Sequence, residues 1–263
     1  VSVPTSLLEG ASWDLITGCR YGTFLIPKHD RYVGDALRTY GEFSQLELDR
    51  LLPLARGQRV LEVGANLGAL TIPLAQVAAE VIAVEPQRWV AQVLAANVVL
   101  NQCRNVRTYW LAGGAIAGCL TVPYLNPAGE ASFGSYQLKD GPLFPSGYLA
   151  DTVEQRRLDT LPDLDQVGLI KIDVEGMELE VMQGLAQTID RWSPVIWFEA
   201  ELLDWEAAGA WLQARGYALY PQETMIFNPA NWAGLTLNRW PNTRTLNMLA
   251  VPRSLHPPEA ASS

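Results

Sequence analysis

The sequence predicts an α/β fold: a doubly wound, mostly parallel sheet with helices on both faces. Three observations carry this. The strand candidates Val81–Val84 and Val195–Phe198 are apolar throughout, and Val60–Val63 is apolar but for Glu62, with no polar alternation, as in strands buried on both faces. They alternate with segments of helical length. The first strand runs into the turn Gly64-Ala65-Asn66-Leu67-Gly68, and the second ends in Glu85, twenty-one residues past Gly64. Strand, glycine turn, helix and an acid about twenty residues on is the pattern by which such sheets hold an adenosine ribose.

Taken in order, residues 1–54 read as a cap on the core, closing with a helix from Ser44 to Leu54 that Pro53 ends. The core, residues 55–253, opens with a strand from Arg59 to Val63 and a helix from Leu67 to Ala78, where Pro73 is tolerable in an early turn. Strand Val81–Val84 leads to a helix from Gln87 to Leu100 and a strand from Val106 to Trp110. Further strands are expected at Val167–Ile172, Val195–Phe198, Tyr217–Tyr220 and Leu246–Val251. Helices are expected at Met177–Thr188 and Leu203–Arg215. Two stretches interrupt the alternation: an excursion from Ala117 to Glu154, rich in Gly and Pro, and an aromatic loop from Pro221 to Thr245. Ser254 to Ser263 reads as a frayed tail.

At 263 residues the chain suits one large domain with a cap. A formal net charge of −9 with 19 Lys and Arg disfavours nucleic acid and anionic membrane as partners, because both need a dense positive surface. Three cysteines, an odd number without Cys-x-x-Cys spacing, read as reduced thiols. With no apolar run long enough to span a membrane and no signal-like start, the expectation is a cytoplasmic protein.

The turn after the first strand is Glu-x-Gly-x-Asn-x-Gly, with Asn66 where a dinucleotide-binding turn wants the glycine that admits a pyrophosphate. An adenosine cofactor without phosphate suits that replacement, which points to S-adenosylmethionine and methyl transfer over a nicotinamide dehydrogenase. The expected cofactor contacts are Glu62, Gly64, Asn66 and Gly68 around the turn, and Glu85 on the ribose hydroxyls. In a parallel sheet the carboxyl ends of the strands share one edge, so Asp173, Glu175 and Glu199 converge beside the cofactor. Such carboxylates serve as a general base or take a divalent metal, although no metal is predicted. Asp173 has the alternative of capping the following helix.

Several further runs resemble FkbM-type S-adenosylmethionine-dependent methyltransferases. They are Arg31-Tyr32-Val33-Gly34-Asp35, Tyr40-Gly41-Glu42-Phe43-Ser44, Val63 to Gly68, Glu85-Pro86-Gln87, Asn97 with Leu100-Asn101, and Ile170-Lys171-Ile172-Asp173-Val174-Glu175-Gly176-Met177-Glu178. Phe227-Asn228-Pro229 and Asn247-Met248-Leu249 resemble one branch of the family. The resemblance implies a Rossmann-like sheet of seven strands, one antiparallel. It also implies transfer to a hydroxyl of a sugar, polyketide or other secondary metabolite, or to a side-chain amide nitrogen of a peptide. Tyr40 and Glu42 become expected cofactor contacts, with core packing as the other reading for Tyr40.

His29, followed by Asp30, is a candidate for taking the acceptor's proton, against the plainer reading of a surface histidine. Phe227, Trp232 and Trp240 have two readings, as a platform stacking on an acceptor ring or as packing. The expected partners are a small-molecule or glycan acceptor or a peptide, with a homo-oligomer compatible. A non-catalytic S-adenosylmethionine-binding protein is the reading that product formation would exclude.

Overall fold

The computed structural model describes residues 5–6, 12–124, 150–162, 164–200 and 205–255. Strands β1 (Thr5–Ser6), β2 (Trp13–Cys19) and β3 (Gly22–Pro27) form an antiparallel sheet, followed by helices α1 (Val33–Tyr40) and α2 (Gln45–Ala55). Next come β4 (Arg59–Val63), α3 (Thr71–Ala75), β5 (Glu80–Val84), α4 (Arg88–Leu100) and β6 (Val106–Tyr109). Strands β7 (Ala112–Gly113), β8 (Gly118–Pro123) and β9 (Ala150–Arg156) make a small side sheet. The chain then runs through β10 (Val167–Ile172), α5 (Glu178–Gly184), α6 (Ala186–Trp192), β11 (Val195–Glu199), α7 (Trp205–Gln213), β12 (Tyr217–Met225) and β13 (Arg244–Pro252).

The main sheet has seven strands in the order β12-β13-β11-β10-β4-β5-β6. Only β13 is antiparallel to its neighbours. The fold is therefore the Rossmann-like, mostly parallel sheet with one reversed strand. Alternate residues feed two cores. Val60, Val81, Ala83, Leu169 and Trp197 face the layer that holds α2, α4 and the β2–β3 ribbon. Leu61, Val63, Ile82, Val84, Ile170, Ile172, Ile196 and Phe198 face α5, α6 and α7.

Four element boundaries depart from the sequence reading. The helix expected over 67–78 forms only at Thr71–Ala75; it starts late because Asn66 and Gly68 have φ of 50° and 92°, which no right-handed helix admits. The helix expected over 177–188 is two, α5 and α6. A Cβ at Gly184, where they meet, would lie 2.1 Å from the Gly114 carbonyl oxygen, so the break sits where the chain presses on a neighbouring backbone. Pro53 falls within α2 instead of ending it. The stretch 221–245 is partly strand, since β12 and β13 stay paired out to Met225 and Arg244. The excursion from 117 to 154 contributes the paired strands β8 and β9 at its two ends, and its middle lies outside the described residues, as does most of the tail, His256 included. No helix among the described residues is long and apolar enough to cross a membrane.

Candidate active site

The carboxyl ends of β4, β5, β10 and β11 lie side by side and carry the predicted acids. After β4 the backbone N–H groups of Gly64 and Ala65 both donate to the Val84 carbonyl, at 2.9 and 3.0 Å. Gly64 has φ of 82°, and a Cβ there would stand 1.7 Å from the Asp173 carbonyl oxygen. Only glycine lets the turn and the end of β10 approach so closely. Glu85 is buried and accepts backbone N–H groups with both oxygens, from Asn66 at 2.9 Å and Gln87 at 2.9 Å. Burial pushes its carboxyl up to about 7 despite those two bonds. Glu62 is buried as well and accepts the Thr71 hydroxyl at 2.6 Å. Burial raises it to about 7, opposed by the Lys171 ammonium and the Thr71 bond.

Asp173 directly follows β10 with its side chain 37% exposed, and Lys171, buried two residues earlier, donates to its Oδ2 at 2.8 Å. No side chain caps the next helix, whose N-cap is Met177, so the capping reading for Asp173 falls away. The Glu178 carboxylate instead accepts the N–H groups of Gly176 at 3.1 Å and Val174 at 3.4 Å, in the turn that precedes the helix. Glu175 adopts φ of 55° and Gly176 of 98°. A non-glycine residue held in the left-handed region is a strain that clusters at functional sites. Carboxylate oxygens of Asp173, Glu175 and Glu199 all lie within 4.8 Å of one another, close enough to act on one proton or to share one divalent cation.

Residues 62–219, more than half of the chain, match the family profile of the methyltransferase FkbM domain. The chain belongs to the FkbM methyltransferase family. It is an S-adenosylmethionine-dependent methyltransferase, and the donor set fits that cofactor: an acid at the end of β5 that can accept from a ribose diol, and a turn after β4 held open by left-handed Gly64, Asn66 and Gly68. No curated protein matches the sequence significantly. Among solved structures, the methyltransferase FkbM from Methylobacillus flagellatus KT is 19% identical with a TM-score of 0.49, covering 73% of this chain and 43% of its own. The precorrin-6y C5,15-methyltransferase from Geobacter metallireducens GS-15 is 15% identical with a TM-score of 0.47, covering 79% and 85%. M. jannaschii TYW2 in complex with AdoMet is 14% identical with a TM-score of 0.46, covering 93% and 88%. This FkbM chain thus spans less than half the length of the first of these.

The cap residues are engaged within the protein, Tyr40 in the packing that was its other reading. Tyr40 is buried, donates its hydroxyl to the Leu237 carbonyl at 2.8 Å and accepts the Arg239 N–H at 2.9 Å. Its ring packs edge-on against Phe227 and Trp240, with centroids 5.4 and 5.7 Å away. Glu42, also buried, accepts from Asn228 at 2.7 Å and from the Trp232 N–H at 3.0 Å, and pairs with Arg20 at 3.2 Å. Both therefore clamp the connection between β12 and β13 onto the cap, with their polar atoms engaged by protein. The aromatic platform resolves the same way: Phe227 and Trp240 hold Tyr40, and the Trp232 indole donates to the Gly18 carbonyl at 2.8 Å. His29 is exposed in the turn after β3. Asp30 is buried and accepts the Tyr32 N–H at 3.0 Å, serving the start of α1 instead of orienting the imidazole.

Sequence reasoning missed the groups beneath the site. Glu47 of α2 is buried, accepts the Trp197 indole N–H at 3.0 Å, and is raised by its burial against the pull of Lys171. Lys171 inside the otherwise apolar β10 was the available signal; Glu47 shares α2 with Asp49 and Arg50 and carried none.

Proposed function

We propose that this FkbM methyltransferase methylates a hydroxyl oxygen of a sugar, polyketide or other secondary metabolite. The observation that carries the reading is the convergence of Asp173, Glu175 and Glu199 against the glycine turn. Glu85 would hold the ribose hydroxyls of S-adenosylmethionine, and Glu62, Gly64, Asn66 and Gly68 the end that bears its amino acid. When bound, the cofactor supplies a methyl group already activated on a sulfonium. The protein's part is to align the acceptor oxygen and to receive its proton, since an alcohol is a weak nucleophile at neutral pH. Asp173 takes that proton, as the exposed member of an ion pair whose other half is buried. Glu175 and Glu199 orient the acceptor hydroxyl. An amide nitrogen of a peptide is the second acceptor class that a carboxylate base would serve.

The test begins with calorimetric binding of S-adenosylhomocysteine to the wild-type and Glu85→Ala proteins, with NAD as control. Glycosides, polyketides and peptides are then screened for methylated product. Glu85→Ala is expected to weaken binding, NAD to stay silent, and Asp173→Asn to lose turnover on the acceptor found. Full turnover by Asp173→Asn at saturating acceptor would remove the base assignment. Activity abolished by a chelator and restored by magnesium or calcium would give the three carboxylates to a metal instead.

A further inference from the structure

Lys171 is the next-to-last residue of β10, with its side chain 4% exposed. Its register partners are Glu62 on β4 and Trp197 on β11, so the three lie in one row on one face of the sheet. Glu47 closes the row from α2, accepting the Trp197 indole N–H at 3.0 Å and drawing on the Lys171 charge. Two residues on, just past the end of β10, the ammonium reaches Asp173 Oδ2 at 2.8 Å. Burying an ammonium costs several kcal/mol unless it is paired. Glu47, Glu62 and Asp173 together outweigh that cost and hold the Lys171 proton firmly.

We propose that Lys171 is a positioning residue of the methyl-transfer reaction, its buried ammonium fixing the Asp173 carboxylate at the edge where the acceptor's proton is taken. The inference rests on the reading of Asp173 as the base. Asp173 is itself over a third exposed and has no helix-capping bond to hold its rotamer, since no side chain caps α5. The rigid partner is the one underneath. Lys171 is held by a central strand, between Glu62 and Trp197, so its Nζ has little freedom to follow a wandering carboxylate. A pair made of one fixed and one exposed member orients the exposed one.

The experiment compares Lys171→Met, Lys171→Met/Glu47→Gln and Asp173→Asn with wild type. Lys171→Met leaves buried carboxylates without their cation and is expected to lower the unfolding temperature; the added Glu47→Gln removes one of them and recovers part of the loss. The double variant is expected to bind S-adenosylhomocysteine within about threefold of wild type and to keep its acceptor KM, while kcat falls on the order of 100-fold, a cost that an ångström's misplacement can carry. In a crystal structure of the double variant with S-adenosylhomocysteine, Asp173 is expected to leave its wild-type rotamer. A double variant with wild-type kcat, or with the Asp173 carboxylate unmoved, overturns the proposal. If Asp173→Asn alone loses kcat, only the positioning role falls; if Asp173→Asn also keeps it, the base assignment falls first.

Discussion

Asn97 and Leu25 hold each other as two strands would: the Asn97 amide accepts the Leu25 N–H at 2.6 Å and donates to the Leu25 carbonyl at 3.0 Å. Asn101 does the same for Thr23, at 2.8 and 2.7 Å. The spacing works because four helical residues rise about 6 Å and two strand residues about 6.6 Å. Helix α4 thereby serves as the neighbour of β3, and Asn97 donates also to the Leu67 carbonyl at 2.8 Å, tying the cap to the glycine turn. Asn97→Ala is expected to cost about 3 kcal/mol, from backbone groups left without partners. Urea denaturation measures it, and a loss under about 0.5 kcal/mol would mean that water replaces these bonds.

Gly64 and Gly57 both have positive φ, 82° and 68°, yet a Cβ at Gly57 meets nothing within 4 Å. Gly57→Ala is expected to cost only the backbone penalty of about 1–2 kcal/mol. Gly64→Ala must also push apart the turn and β10, so it is expected to cost more than twice as much and to abolish S-adenosylhomocysteine binding. Equal unfolding midpoints for the two variants would contradict the close approach.

Glu62 and Glu85 are each raised to about 7 by burial, from a usual value near 4.5. Between those values the folded chain binds more protons than the unfolded chain, so these two groups make stability fall as pH rises from about 4.5 to about 7. Below the lower value both states are protonated and the effect vanishes. The difference in unfolding temperature between wild type and Glu85→Gln is therefore expected to change across that window and to be constant below it. Ribose hydroxyls donating to Glu85 favour its ionised form, so S-adenosylhomocysteine binding at pH 6 is expected to release protons. Calorimetry in buffers of different ionisation enthalpy reads this directly, and proton uptake would argue against Glu85 as the ribose acceptor.

Glu42 satisfies two donors on the far side of the molecule's connectivity, Asn228 and the Trp232 N–H. Glu42→Ala is expected to expose the Trp232 amide to hydrogen exchange and to cost about 2–3 kcal/mol for the donors left buried. Unchanged exchange at Trp232 would show that the clamp holds through Tyr40 alone.

The sequence by itself determined whatever depends on local pattern and on the rule that parallel strands end together: the alternating core, the glycine turn, the acid at Glu85, and the meeting of Asp173, Glu175 and Glu199. Periodicity and spacing are properties of neighbours along the chain. The resemblance added the reversed strand, which only the pairing of β13 with β11 and β12 displays. Tertiary structure decided the rest. Pro221 hid the length of β12, because proline lacks an N–H for a central strand, but β12 is the edge of the sheet and tolerates it. Tyr40 and Glu42 carry the residue types of a binding site, and their partners lie nearly two hundred residues away. Lys171 reads as an isolated charge in an apolar strand until α2 brings Glu47 over it and β4 sets Glu62 beside it. A buried charge is explained only by the partners that folding assembles around it, and those are distant along the chain.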